Sequence, residues 1–156
     1  MKFIPIIVFI LNVSLVSTQS IEQSHQLDYC GVLVQFKGDC QSGSPYQIIC
    51  DDYSAQWLFI ESHNVNTRPL EVIHELEEKL ANTKTEKIAM YSFGQKMTGS
   101  LITYTLGGEE NYFLTGYGMV NGYGVLLLVG LKVKPIRNDV LPPFISNLIT
   151  INNSPY

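Results

Sequence analysis

One histidine-containing segment of the amino-acid sequence has part of the pattern of a metal site. His74 begins the run His-Glu-Leu-Glu-Glu, the first half of a zinc-protease signature, but Glu78 stands where that signature needs its second histidine. On a helix, His74 and Glu78 share a face, which supplies two ligands for a metal ion where a zinc site needs three or four. The run therefore predicts a solvated helix face, and we predict no metal-binding residues.

A second histidine could in principle serve a small hydrolase. His63 follows a predicted strand and could pair with Asp51 or Asp52 and a serine. The sequence has no Gly-x-Ser-x-Gly segment, and no spacing selects a partner for this histidine. Adjacent acids in a predicted turn are explained by solvation. We therefore predict no catalytic residues and a protein that is not an enzyme, with a small secreted hydrolase as the second alternative.

The segment from Gly116 to Gly124 is rich in glycine, as phosphate-binding loops are. Such loops join a strand to a helix, so that backbone N–H groups and the helix dipole face the anion. Strand patterns flank this segment on both sides. It therefore predicts a hairpin, and we predict no cofactor and no cofactor-binding residues.

Three cysteines, Cys30, Cys40 and Cys50, lie at ten-residue intervals, so one intramolecular pair can form. We favour Cys40–Cys50, because residues 41–45 have the composition of a loop that folds back on itself. Cys30 lies in an apolar stretch and is expected to be a buried small hydrophobic residue.

The first 18 residues have the layout of a secretory signal peptide. Lys2 is followed by an apolar run over 3–11 and by small polar residues, and the apolar run is too short to span a membrane. The expected localisation is secreted or periplasmic, without stable membrane insertion after cleavage. The predicted organisation is a signal peptide at 1–18, a loose mature N-terminus at 19–27, a single domain at 28–151 and a C-terminal tail at 152–156.

Composition limits the partners. Apolar residues make up 46% of the chain and charged residues 15%, which favours a compact globule over a disordered segment. The net charge is −4 and no basic cluster is present, which argues against nucleic acid as a partner. An acidic surface suits a basic protein partner.

Strand patterns dominate the chain. The first is expected as one strand from Leu27 to Phe36, and hairpin turns are predicted at Gly107-Gly108 and Asn121-Gly122. Counting outward from these two turns places Leu101 opposite Leu114, and Leu114 opposite Val129. One apolar row is thereby predicted across three strands.

Two helices complete the prediction. The first is long, with Thr67 as its cap, Pro69 in its first turn, an end at Asn82-Thr83 and an apolar stripe of Leu70, Ile73, Leu76 and Leu80. The second is short, from Leu141 to Ile149, with Asp139 as its N-cap. The predicted fold class is α+β: an antiparallel sheet of six or seven strands, covered by the long helix and the C-terminal helix as an α/β/α sandwich.

This order of elements resembles the PsbP/DcrB-like α/β/α sandwich family. The similarity covers about residues 28–151 and is carried by the helix start Pro69-Leu70-Glu71, the strand entry Gly122–Leu126, the segment Val140–Phe144 and the terminal segment Phe144–Ile151. The resemblance implies a small exported protein that binds other proteins, and it brings no catalytic residues.

The remaining signal is aromatic. Tyrosine buries a large area at low entropic cost and keeps a polar tip, which suits interfaces. The candidate interface residues are Tyr46, Asp51, Asp52, Tyr53, Trp57, Tyr117 and Tyr123. The leading hypothesis is a periplasmic immunity protein that occludes a basic toxin with this surface. The first alternative is a module that binds a small molecule or lipid between sheet and helix, beside Leu101, Leu114 and Val129.

Overall fold

A computed structural model describes residues 25–152, which form ten strands and two α-helices. The predicted signal peptide and residues 153–156 lie outside the described residues. The elements are β1 Gln26–Tyr29, β2 Val32–Gln35, β3 Gln41–Ser44, β4 Gln47–Ile49, β5 Tyr53–Ile60, α1 Arg68–Lys79, β6 Ala81–Ser92, β7 Gln95–Leu106, β8 Glu109–Val120, β9 Tyr123–Leu131, α2 Pro143–Leu148 and β10 Ile149–Asn152. Strand β1 begins inside the segment that was expected to be loose. Neither helix of this part of the chain is long and apolar enough to cross a membrane.

Within the described residues, the strands form one antiparallel sheet of eight and one hairpin of two. The large sheet has the order β10-β6-β7-β8-β9-β5-β4-β3, and β1 pairs with β2. The α+β class is confirmed, but the prediction of six or seven strands is wrong. The unpredicted strands are β3, in a segment expected to be a loop, and β10, which begins at the last residue of the predicted C-terminal helix.

The register of the central meander agrees with the prediction. Leu101 pairs with Leu114, and Leu114 pairs with Val129. Asn121 and Gly122 have φ values of 49° and 84°, as a type I′ turn requires at both of its central residues. Two turn assignments made from residue types alone therefore fix the pairing of three adjacent strands.

The long helix covers less of the sheet than predicted. Val72 and Leu76 of α1 are buried in a cluster with Leu126 and Leu128 of β9. Leu70, which the predicted stripe turns inward, is 53% exposed, because it lies about 200° around the helix axis from Val72. The helix also ends at Lys79 rather than at Asn82-Thr83. The Thr67 side chain makes no capping hydrogen bond; its hydroxyl donates to the Asn64 carbonyl oxygen.

The opposite face of the sheet is covered by the β1–β2 hairpin together with α2. The prediction of a single strand from Leu27 to Phe36 is wrong. Cys30 and Gly31, with φ values of 52° and 80°, form a turn that divides this segment into β1 and β2. Helix α2 begins at Pro143, so Asp139 is not its N-cap and instead lies in the 3-10 turn Asn138–Val140. Its buried residues are Phe144, Ile145 and Leu148.

The sheet curls around this hairpin. The Tyr29 ring centroid lies 5.5 Å from that of Trp57 on β5 and 5.8 Å from that of Phe93 at the end of β6. Strands β5 and β6 are separated by four strand spacings, roughly 19 Å in a flat sheet, so the sheet must bend for one ring to reach both. Gly116 permits a close approach within this concave face, because a Cβ there would overlap the Met90 sulfur.

Candidate functional site

The predicted interface residues do not form one surface. Tyr46 and Tyr123 lie together at one end of β5, whereas Asp51, Asp52 and Tyr53 lie at the other end. The remaining two are in neither place. Trp57 is fully buried beneath the β1–β2 hairpin, and Tyr117 packs on the face covered by α1.

Three exposed aromatic side chains form a continuous row on the hairpin side of the sheet; we call Tyr46, Phe59 and Tyr123 the aromatic row. The Phe59 centroid lies 5.7 Å from that of Tyr46, edge to face, and 5.4 Å from that of Tyr123. The three residues are 48%, 42% and 46% exposed. About half of each side chain is therefore open to solvent, and the row forms an exposed apolar patch on the described part of the chain.

Backbone and amide hydrogen bonds hold the row's end of the sheet in place. Asn121 Nδ2 donates to the carbonyl oxygen of Cys30 at 3.1 Å, which joins the β8–β9 turn to the hairpin. Gln95 Nε2 donates to Asn121 Oδ1 at 2.8 Å, and the Asn121 N–H donates to Gln95 Oε1 at 3.0 Å. Three turns thus meet beside Tyr123, and Gly31, whose φ of 80° favours glycine, lies next to its ring.

Two carboxylates lie on segments that adjoin the aromatic row. Glu61 lies two residues after Phe59, and because side chains alternate along a strand it belongs to the same face. Its side chain is largely exposed, and its Oε2 lies 3.3 Å from His63 Nε2. Asp28 lies on the hairpin, where its Oδ1 accepts the N–H of Gly31, next to the Tyr123 ring. The combination of aromatic faces and carboxylates favours cationic groups.

The predicted disulfide is present at the other end of β5. Cys40 and Cys50 are bonded, with their Cα atoms 4.3 Å apart, and join the start of the β3–β4 hairpin to its end. A groove of about 680 Å³ surrounds this bond; we call it the disulfide groove. Asp51, Asp52 and Tyr53 line it, together with residues from β2, β9 and α2 that no sequence pattern groups with them.

The chemistry of the disulfide groove is mixed. Lys132 Nζ lies 3.6 Å from Asp52 Oδ1 across the groove's rim. The Tyr53 hydroxyl lies 3.7 Å from Cys40 Sγ, and burial, with a smaller contribution from the Asp39 charge, raises the pKa of this phenol to about 12. Tyr53 is therefore a neutral hydrogen-bond donor across the physiological pH range.

The residues considered for catalysis or metal binding are solvated. His74 Nε2 lies 3.4 Å from Glu78 Oε1 on the exposed side of α1, and His63 contacts Glu61 rather than Asp51 or Asp52. Over residues 25–152, no group of three or more His, Cys, Asp or Glu side chains is placed to hold a metal ion. The glycine-rich segment is the β8–β9 hairpin.

Cys30 is a free thiol and is fully buried, as expected. Burial is the main cause that raises its pKa to about 12, with a smaller contribution from the Asp28 carboxylate. The thiol is therefore protonated and unreactive at neutral pH.

Comparison with known proteins gives no relative: the chain matches no family model, no curated protein and no solved structure. The resemblance to the PsbP/DcrB-like sandwich stays a prediction.

Proposed function

We propose that this chain is an exported, non-enzymatic binding protein whose aromatic row docks a basic protein partner. The observation that carries the proposal is the contact geometry of Tyr46, Phe59 and Tyr123, three partly exposed rings packed on one another on a sheet face. At protein interfaces a few anchoring residues, tyrosine prominent among them, supply most of the binding energy.

Rigidity and charge support the same proposal. The row is carried by β5, the start of β9 and the residue before β4, and the Asn121 hydrogen bonds link the adjoining turns. A partner would therefore meet a preorganised platform and lose little entropy in ordering it. The adjoining Glu61 and Asp28 carboxylates, and the net charge of −4, favour lysine and arginine side chains on the partner.

An immunity-type role is the specific form of this proposal. A protein that neutralises a toxin needs a preformed surface complementary to the toxin, and it needs to reach the compartment in which the toxin acts. The aromatic row supplies the first requirement, and the predicted signal peptide at 1–18 would supply the second. In this role the partner is a basic toxin whose active site the row covers.

Capture from extracts of the source cells tests the proposal. The wild-type protein is compared with Tyr46→Ser/Phe59→Ser/Tyr123→Ser and with the control Leu70→Ser, which removes an exposed apolar side chain from α1 on the other face. We expect wild type and control to retain the same basic protein and the triple variant to lose it. Equal capture by all three proteins, or no specific capture by the wild type, would refute the proposal.

Binding of a small molecule or lipid is the second candidate function, and the disulfide groove favours it. Its volume lies within the range of natural ligand sites. The groove is not where the sequence placed such a site: Leu101, Leu114 and Val129 are buried in the core and none of them lines it.

A further inference from the structure

The disulfide groove has an apolar wall that remains exposed to solvent. Val133, which is 64% exposed, and Val140 lie on the segment between β9 and α2, and both line the groove. Two buried side chains, Phe144 and Leu131, also line the groove, together with the half-buried Phe36. An apolar surface of this kind inside a concavity gains free energy when a ligand removes it from water.

The rim of the groove has an excess of negative charge. Asp39, Asp51 and Asp52 line it, against Lys37 and Lys132. Since Lys132 already lies 3.6 Å from Asp52, the two other carboxylates face one lysine. The Asp39 carboxylate is near enough to the Tyr53 phenol to contribute to raising its pKa, so negative charge and an aromatic ring meet inside the groove.

We propose that the disulfide groove binds a small amphiphilic organic cation, whose apolar chain lies against Phe36, Val133 and Val140 and whose ammonium group is held by Asp39 and Asp51. Aromatic faces attract organic ammonium groups, and nearby carboxylates add Coulomb attraction for the same charge. The proposal is independent of the aromatic row, because the two sites share no residue.

The same features discriminate against other ligands. An amphiphilic anion would bring its charge next to Asp39 and Asp51, and the two lysines of the rim, Lys37 and Lys132, would have to offset repulsion from three carboxylates. A neutral amphiphile would bury the same apolar area and gain nothing from the carboxylates. Cation, neutral molecule and anion should therefore bind in that order of affinity.

Three probes with the same eight-carbon chain test this order: octylammonium, octanol and octanoate. Calorimetry and amide chemical-shift mapping on the isotope-labelled protein give the affinity and the location together. We expect octylammonium to bind at least tenfold more tightly than octanol, with shifts confined to residues around 36–40, 50–53 and 131–144. Equal affinities for the three probes, or shifts located elsewhere, would overturn the proposal.

Variants separate the charge from the apolar wall. Asp39→Asn/Asp51→Asn should weaken octylammonium about tenfold and leave octanol unchanged, whereas Val133→Ser should weaken both probes. Glu75→Gln/Glu109→Gln, which removes two exposed carboxylates that do not line the groove, is the matched control and should change neither affinity. All these side chains are exposed, so folding should be preserved. An unchanged octylammonium affinity in the double variant would contradict the proposal, whatever the outcome of the capture experiment with the aromatic row.

Discussion

The aromatic row and the disulfide groove lie at opposite ends of β5 and are built by different means. Tyr53 and Phe59 are six residues apart on that strand, which corresponds to roughly 20 Å. The groove is closed by a covalent bond and by a long irregular segment, whereas the row is supported by strand pairing and by the Asn121 hydrogen bonds. One strand thus carries a partly exposed aromatic row at one end and lines a groove of mixed chemistry at the other.

This difference indicates how the two ends can serve different ligands. An exposed row of contacting aromatic rings suits a macromolecule, because affinity at protein interfaces comes from a few buried anchors inside a larger contact. A concavity of about 680 Å³ can surround most of a small ligand. If the two ends are independent, each of the changes below should act on one end and spare the other.

The largest expected effect concerns alkaline pH and Cys30 at the hairpin turn near the row. Its folded pKa of about 12 lies above the usual value of 9.0, so folding favours the neutral thiol. The corresponding stability is complete below pH 9 and is lost as pH rises toward 12, by as much as about 4 kcal/mol. Denaturant unfolding at several pH values should show this loss. Cys30→Ala should remove the part that begins near pH 9, whereas the neighbouring Tyr29, whose pKa is also raised by burial, keeps its own contribution above pH 10.

Tyr53 in the groove provides the comparison for Cys30. Its pKa rises from 10.0 to about 12, so its contribution is present below pH 10 and is lost above it. Because the side chain is only partly buried, Tyr53→Phe should flatten the profile less than Cys30→Ala does. The opposite ranking would show that the groove, rather than the hairpin turn, dominates alkaline unfolding.

The next effect is loss of the disulfide. Cys40→Ala/Cys50→Ala opens a loop with a sequence separation of 10 and should lower the free energy of unfolding by about 3 kcal/mol. Urea denaturation measures this loss. Octylammonium binding should weaken at the same time, while capture of the basic partner through the aromatic row should persist. Loss of both octylammonium binding and partner capture in a protein that is still folded would show that the disulfide groove and the aromatic row are coupled.

Asn121 supports the other end. Asn121→Ala puts alanine at a φ of 49°, which asparagine adopts more readily, and removes the side-chain hydrogen bonds to Cys30 and Gln95. The free energy of unfolding measured by urea denaturation should fall by about 2 kcal/mol. Asn121→Gly keeps the turn conformation and loses only the links, so it should cost less. Equal costs would mean that the backbone conformation contributes nothing. Both variants should leave octylammonium binding unchanged.

The smallest effect on stability should come from the row itself. Phe59→Ser and Tyr123→Ser each remove a side chain that is nearly half exposed, so the free energy of unfolding should change by no more than about 0.5–1 kcal/mol. Thermal unfolding measures this change, and the same variants should bind the partner far less well. A large loss of stability would mean that the rings serve packing rather than recognition.

The turns show how far the sequence predicts this fold. Gly107-Gly108 and Asn121-Gly122 carry residues that readily adopt positive φ, and both hairpins follow from them. Cys30-Gly31 and Phe93-Gly94 also have positive φ at both residues of the turn, but a cysteine or phenylalanine in the first position is not a turn signal. Burial of Cys30 and the contact of Phe93 with Tyr29 offset that backbone cost, and such tertiary contacts cannot be inferred from local residue types.

The candidate sites were predicted to a lesser extent, for a related reason. Trp57 and Phe59 alternate onto the same face of β5, and the sequence gives no sign of which is covered. Tyr29 of the hairpin covers Trp57, while Phe59 remains open next to Tyr46 and Tyr123. The prediction therefore included the buried tryptophan and missed the exposed phenylalanine. Exposure here depends on where the hairpin ends, which is a property of the assembled fold.

Hydrogen exchange of the protein alone and in complex with its captured partner shows whether the aromatic row is where the partner docks. We expect slower amide exchange at residues 44–47, 57–61 and 121–125, which carry and adjoin the aromatic row, and no change at 50–53 or 131–134 around the groove. Protection confined to the groove segments or to α1, with the aromatic row exchanging as in the free protein, would contradict this expectation.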